Sequence, residues 1–325
     1  MKDSLNIENL YVNYLTNKGQ LKALRNINFN IPKNSVVGII GESGCGKSTI
    51  VSSIMGLMPD NAKIEKGEIK LNDNSILNLK QNELKKILGN NISVIFQDPM
   101  TSLNPVMSIG KQMILSQHHE KISKKEKIER SLEMLDLVGI PDYKSRFNDL
   151  PHQFSGGMRQ RIMIAMAIQS RPDLLIADEP TTALDVTTEV QIINLLKNLK
   201  NKIECSILFI THNLNLLVDF CDYIIIMYAG IIVEKGTTKD IFLDPQHPYT
   251  KQLFNCDPSQ IEKKIKKFPF IKGSLPDLIN LKNECIFSSR CEHPSHECKE
   301  GLIENKLIEF SKDHWVDQCC MNCKE

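Results

Sequence analysis

The stretch "GIIGESGCGKST", Gly38 to Thr49, limits the possible folds of this chain more than any other. Gly41, Gly46, Lys47 and Ser48 keep the spacing G-x-x-x-x-G-K-[ST]. The apolar run "VVGII" leads in, and "STIVSSIMGL" leads out with helical character. A strand, a glycine-rich loop and a helix in that order form a phosphate cradle. Small residues let backbone N–H groups converge on phosphate oxygens, and the helix N-terminus adds partial positive charge. In such a cradle Lys47 reaches the β- and γ-phosphates, and the Ser48 hydroxyl holds Mg2+. Ser43, Gly44, Cys45 and Thr49 complete the candidate nucleotide-binding set.

A second apolar run ends in two acids. In "LLIADEP" four apolar residues bring Asp178 and Glu179 to the end of a buried strand. Asp178 suits the carboxylate that supports Mg2+. Glu179 beside it suits the group that polarises an attacking water. A helical pattern from Val186 to Lys202 separates this strand from "SILFITH", so strand and helix alternate as in a parallel α/β sheet.

The segment from Ile7 to about Leu79 reads as strand-rich, "ISVIF" as a short buried strand, and Gly110 to Val138 as helical. The longest apolar run, "YIIIMYAGIIV", falls short of the roughly 20 residues that a bilayer span needs, and reads as two strands turning at Ala229-Gly230. The N-terminus lacks an apolar signal region, which predicts a cytoplasmic location. A formal net charge of +1 gives no bulk reason to bind nucleic acid. After Thr250 a basic, proline-bounded connector, "IEKKIKKFPF", leads to a cysteine-rich tail, which places a boundary near residue 255: residues 1–254, then residues 255–325.

Of ten cysteines, Cys285, Cys291, Cys298, Cys319, Cys320 and Cys323 crowd that tail. In a reducing compartment clustered thiols point to metal or redox chemistry. Zinc favours paired C-x2-C knuckles, and only Cys320 and Cys323 make one; four thiolates can instead hold a [4Fe–4S] cluster.

The stretch "FSGGMRQR" resembles the LSGGQ signature of the nucleotide-binding domains of ABC transporters. Phe154 stands for Leu and Met158 for Gln, while Ser155, Gly156 and Gly157 are kept. The resemblance covers about residues 5 to 250. It implies a P-loop, RecA-like α/β fold with an antiparallel β subdomain and a helical signature subdomain, plus a small cysteine-rich extension. It implies ATP and Mg2+ as ligands and ATP hydrolysis as the activity. Gln97 in "VIFQDP" matches the Q-loop residue that touches Mg2+ and the attacking water, Asp185 matches the D-loop, and His212 matches the switch histidine. Tyr14 matches the aromatic that stacks on adenine, with Tyr11 as the alternative.

"QDPMTSLNPVMSIGKQM", "DPQHPYTKQL" and the tail resemble the oligopeptide/dipeptide importer branch, which also includes nickel, metallophore and glutathione importers. The branch implies two membrane permeases, a second, paralogous cassette and an extracytoplasmic solute-binding protein. For the tail it implies an iron–sulfur cluster on Cys285, Cys291, Cys298 and either Cys319 or Cys320, with zinc as the alternative. The rival functions are a soluble ABC ATPase acting on DNA or ribosomes and a non-catalytic regulatory cassette. A single cassette with no heptad run argues against the first, and Gln97, Glu179 and His212 argue against the second.

Overall fold

The computed structural model describes residues 2–182, 184–256, 270–282, 284–300 and 306–318. Along the chain come β1 (Asp3–Thr16), β2 (Gly19–Pro32), β3 (Val36–Ile40), α1 (Lys47–Met55), β4 (Ala62–Leu71) and β5 (Asn74–Ser75). Next are α2 (Gln81–Ile87), β6 (Ile92–Ile95), α3 (Pro99–Ser102), α4 (Ile109–Ser116), α5 (Lys124–Leu137) and α6 (Gly156–Ile168). Then follow β7 (Leu174–Asp178), α7 (Val186–Ile203), β8 (Ser206–Ile210), α8 (Leu214–Phe220), β9 (Tyr223–Tyr228) and β10 (Ile231–Thr237). The rest is α9 (Thr238–Leu243), α10 (Pro248–Asn255), α11 (His296–Glu300), β11 (Leu307–Ser311) and β12 (His314–Asp317).

These elements fall into two compact units built from interleaved pieces of chain. The first comprises Met1–Leu5, Asn30–Val36 and Lys70–Ile210. Its framework is β6, β7 and β8, paired in parallel. Every residue of β8 and the first four of β7 are buried. Continuous apolar strands of this kind belong to sheets covered on both faces. The expected helical region at Gly110 to Val138 is two helices. The Ser123 hydroxyl accepts from the Glu126 amide and the Glu126 carboxylate accepts from the Ser123 amide, a capping box that starts α5 afresh.

The second unit comprises Asn6–Phe29, Val37–Ile69 and Thr211–Glu325. It holds most of β1, β2 and β4, and the strand order β11-β12-β10-β9-β3. β3 pairs in parallel with β9; β9, β10, β12 and β11 pair antiparallel in succession. Ala229 and Gly230 both have positive φ, 44° and 86°, the backbone that a two-residue hairpin between right-twisted strands requires. All of the basic connector except Phe270 lies outside the described part of the chain. No described helix is long and apolar enough to cross a membrane.

Candidate functional site

In the second unit the glycine-rich loop joins β3 to α1. Gly41 is glycine for space: a Cβ there would lie 2.2 Å from the Met227 carbonyl oxygen. Gly46 caps α1 at φ 108°, which no side chain tolerates easily. Ser43, Gly44 and Ser48 are exposed, whereas Cys45 is fully buried. Lys47 is 8% exposed, and its Nζ donates to the Gly41 carbonyl at 2.6 Å and the Glu42 carbonyl at 3.3 Å. The ammonium is thus stored inside the loop on carbonyls that a phosphate can replace. Cys45 is no nucleophile, because burial raises its thiol pKa and keeps it protonated. Tyr14, half-buried on β1, shares a hydrogen bond of 3.2 Å with the Thr49 hydroxyl, which seats its ring beside the start of α1. The rival Tyr11 has Lys66 over its ring at 4.2 Å. His212, also in this unit, is exposed just ahead of α8.

In the first unit β7 delivers Asp178 and Glu179 at its C-terminal end, as the apolar run predicts. Glu179 sits at φ 47°, a left-handed conformation rare for a non-glycine residue and concentrated at functional sites. Its Oε2 accepts from Gln97 Nε2 at 2.9 Å and from the Thr182 hydroxyl at 3.0 Å. Gln97 and Glu179, 82 residues apart, therefore meet. Thr182 is a partner that sequence reading missed; its place three residues after Glu179 was the only available signal.

The Ser155 hydroxyl accepts from the Met158 amide and caps α6. The two glycines that follow differ. A Cβ on Gly157 would lie 2.8 Å from Thr188 Cγ2, so packing of α6 against α7 needs glycine there. A Cβ on Gly156 would meet nothing within 4 Å, and Gly156 is exposed. Asp185 caps α7: its carboxylate accepts from the Thr187 hydroxyl and from the Thr188 amide and hydroxyl. Those bonds, Thr187 first, pull its pKa down to about 2.

Ser48, Gln97 and Asp178 all offer oxygen donors, the chemistry that Mg2+ takes. The tail offers less. Cys285 and Cys298 are buried, and the Cys285 amide donates to the Cys298 carbonyl at 2.8 Å. The Ser295 hydroxyl donates to Cys298 Sγ at 3.1 Å, and burial raises the Cys291 thiol pKa, with the neighbouring Cys285 and Cys298 adding to it. Among the described residues no group of three His, Cys, Asp or Glu could hold a metal ion, so these residues do not present the expected iron–sulfur or zinc site. Cys319, Cys320 and Cys323 lie outside the described residues.

With this geometry in place, comparison with known proteins decides the family. Residues 24–182 match the ABC transporter family model, and residues 233–298 match that of the oligopeptide/dipeptide transporter C-terminal region. The dipeptide transport ATP-binding protein DppD of Lactococcus lactis subsp. cremoris is 46% identical over 288 residues, covering 88% of this chain and 82% of that protein. The chain belongs to the ABC transporter ATP-binding family. It is an ATPase of the oligopeptide/dipeptide branch. The oligopeptide transport ATP-binding protein OppD of Escherichia coli is 44% identical over 298 residues, 91% of this chain and 88% of that protein. Among solved structures, the ABC cassette MJ0796, a post-hydrolysis dimer bound to ADP and Pi, matches with a TM-score of 0.64 at 30% identity, over 72% of this chain and 98% of its own. CbiO1 of Clostridium perfringens matches with a TM-score of 0.65 at 27% identity, over 75% of this chain and 92% of its own.

Proposed function

We propose that this ABC ATPase powers import of dipeptides or oligopeptides through a pair of membrane permeases, docked on their cytoplasmic side. The observation that carries the reading is the match of residues 233–298 to the peptide-transporter C-terminal region, beside relatives named for dipeptide and oligopeptide transport. Residues 1–254 act as the cassette and residues 255–325 as the extension. The phosphate loop, with Gly41, Ser43, Gly44, Cys45, Gly46, Lys47, Ser48 and Thr49, takes the triphosphate, and Tyr14 takes the adenine. Ser48, Gln97 and Asp178 would hold Mg2+, which would neutralise phosphate charge. Glu179, held by Gln97 and Thr182, polarises the attacking water, and His212 senses the γ-phosphate.

Ser155, Gly156, Gly157 and Asp185 act on the nucleotide of a second cassette, a paralogue of this chain. ATP joins the two cassettes and hydrolysis releases them, so the nucleotide's preference for the closed pair drives transport. An extracytoplasmic solute-binding protein supplies the cargo. The tail thiols are the place to seek iron–sulfur or zinc: metal and sulfide analysis of anaerobically purified chain tests this, and metal-free protein with intact cysteines ends both readings.

The test of the whole reading is uptake of a labelled dipeptide by cells lacking this chain. Uptake should be lost and be restored by the intact gene but not by Glu179→Gln. Normal peptide uptake with loss of nickel, metallophore or glutathione uptake would move the cargo to that class. Failure to co-purify with integral membrane subunits would favour a non-transport ATPase.

A further inference from the structure

Glu42 is the second residue of the phosphate loop, and all its polar groups are engaged within the second unit. Its amide donates to the Tyr249 hydroxyl at 3.0 Å. Its carbonyl accepts from the Cys45 amide at 3.1 Å and from Lys47 Nζ at 3.3 Å. Its carboxylate is gripped by Arg290 of the extension, Nη1 to Oε2 at 2.8 Å and Nη2 to Oε1 at 3.0 Å. This is the two-bond fork that guanidinium and carboxylate form when geometry is good.

Arg290 is spent entirely in this place. Nε donates to the Lys272 carbonyl at 2.9 Å, Nη1 also reaches the Tyr228 hydroxyl at 3.2 Å, and Nη2 also reaches the Ile271 carbonyl at 3.3 Å. With the two bonds to Glu42, five N–H donors meet five acceptors. The Arg290 side chain is only 5% exposed and that of Glu42 25%. Two elements set the position of the guanidinium. Phe287 packs edge-on to Tyr228 and Tyr249, with ring centroids 5.1 and 5.5 Å apart, and the Arg290 amide donates to the Phe287 carbonyl at 2.9 Å. The backbone turn at Cys285 to Cys291 therefore aims a cation from the extension at the loop.

The chemistry gives this contact a direction. The loop must accept a polyanion, yet Glu42 puts a carboxylate into it. A like charge near a phosphate site opposes binding, more so where the surroundings are desolvated. We propose that Arg290 is a positioning residue for nucleotide binding: it cancels the charge of Glu42 and fixes the carbonyl on which Lys47 waits. The extension is then a working part of the nucleotide site of its own chain.

The test uses the full-length chain and MgADP binding by calorimetry, then KM and kcat for ATP in the assembled transporter. Arg290→Met should weaken MgADP binding on the order of ten-fold and raise KM for ATP similarly, with kcat little changed. Adding Glu42→Gln removes the uncancelled carboxylate, so Arg290→Met/Glu42→Gln should recover most of the loss. A contact that only anchors the extension would not be rescued in this way. Arg290→Lys keeps the charge but loses the fork, so its MgADP affinity should fall between those of the parent and Arg290→Met; it carries the test if the Met variant fails to fold. Unchanged binding in Arg290→Met, no rescue in the double variant, or Arg290→Lys with kcat lowered and KM unchanged would each overturn the proposal.

Discussion

At the residue scale, small differences of placement separate residues that look alike in sequence. Gly156 and Gly157 are adjacent in the signature, but only Gly157 is fixed by its own chain. Gly157→Ala should force α6 from α7 and lower stability by about 1–3 kcal/mol. Gly156→Ala should leave thermal unfolding at or above the parent value and still cut ATPase activity of the assembled transporter, because in the proposed sandwich its new methyl group would meet the partner's nucleotide. Glu179→Gln keeps the shape that Gln97 and Thr182 hold and loses the carboxylate proposed as the base, so steady-state ATP turnover should fall about a hundred-fold or more while ATP still binds.

His247 behaves differently again. It is buried, its Nδ1 accepts from the Tyr249 amide at 3.0 Å, and its own amide donates to Glu234 at 3.0 Å. Its Nε2 has no hydrogen-bond partner among the described residues. Burial lowers its pKa from 6.5 to about 4, with Glu234 pulling weakly the other way. The unfolded chain therefore takes up a proton before the folded one does. Stability from this residue is complete above 6.5 and drains away as pH falls through about 4. Chemical denaturation should show His247→Asn, which can still cap α10, losing about 2 kcal/mol less than the parent between about pH 7 and about pH 5.

At the scale of elements, what was legible in the sequence is what local patterning controls. The continuous apolar runs of β3, β7 and β8, the turn at Ala229-Gly230 and the loop before α1 each carry their signal within a few residues. The hairpin β11–β12 does not. It extends the sheet of the second unit because Glu234↔Val316 and Lys235↔Trp315 pair, and because the buried His314 Nε2 meets Glu234 Oε1 at 2.8 Å across 80 residues of chain. Nothing in "HWVD" alone names that partner, so the tail reads in sequence as an appendage. The Arg290–Glu42 contact, 248 residues apart, was hidden for the same reason.

Docking of this hairpin should be separable from the rest of the fold. The Glu234 carboxylate keeps the Gln246 and His247 amides without His314, yet loses a buried partner. His314→Leu should cost about 3 kcal/mol at the hairpin. Trp315 is the only tryptophan and lies on β12, with Lys235 Nζ 5.5 Å from its ring, so its emission reports this strand. In His314→Leu that emission should change at lower denaturant than the helical circular dichroism, whereas coincident transitions at the parent midpoint would show that the pair adds nothing.

At the scale of the whole molecule, one chain carries two helix starts suited to phosphate: α1, whose loop stores Lys47, and α6, capped by Ser155. The first keeps Lys47, Ser48 and Tyr14 together within its own unit. The second has an exposed serine and an exposed glycine, and no described residue comes within 4 Å of a Cβ built on Gly156. If the second serves the nucleotide of a partner cassette, the two functions must come apart under mutation. In a Glu179→Gln background, where slow turnover preserves bound ATP, the chain mixed with its partner cassette should elute as a closed pair with MgATP and separately with MgADP. Ser155→Arg added to that background puts bulk at the start of α6 and leaves the loop before α1 untouched. MgATP should then bind with near-parent affinity while the ATP-dependent pair disappears from the elution profile. Loss of nucleotide affinity in the unpaired chain would instead mean that Ser155 serves its own nucleotide, and the sandwich would have to be abandoned.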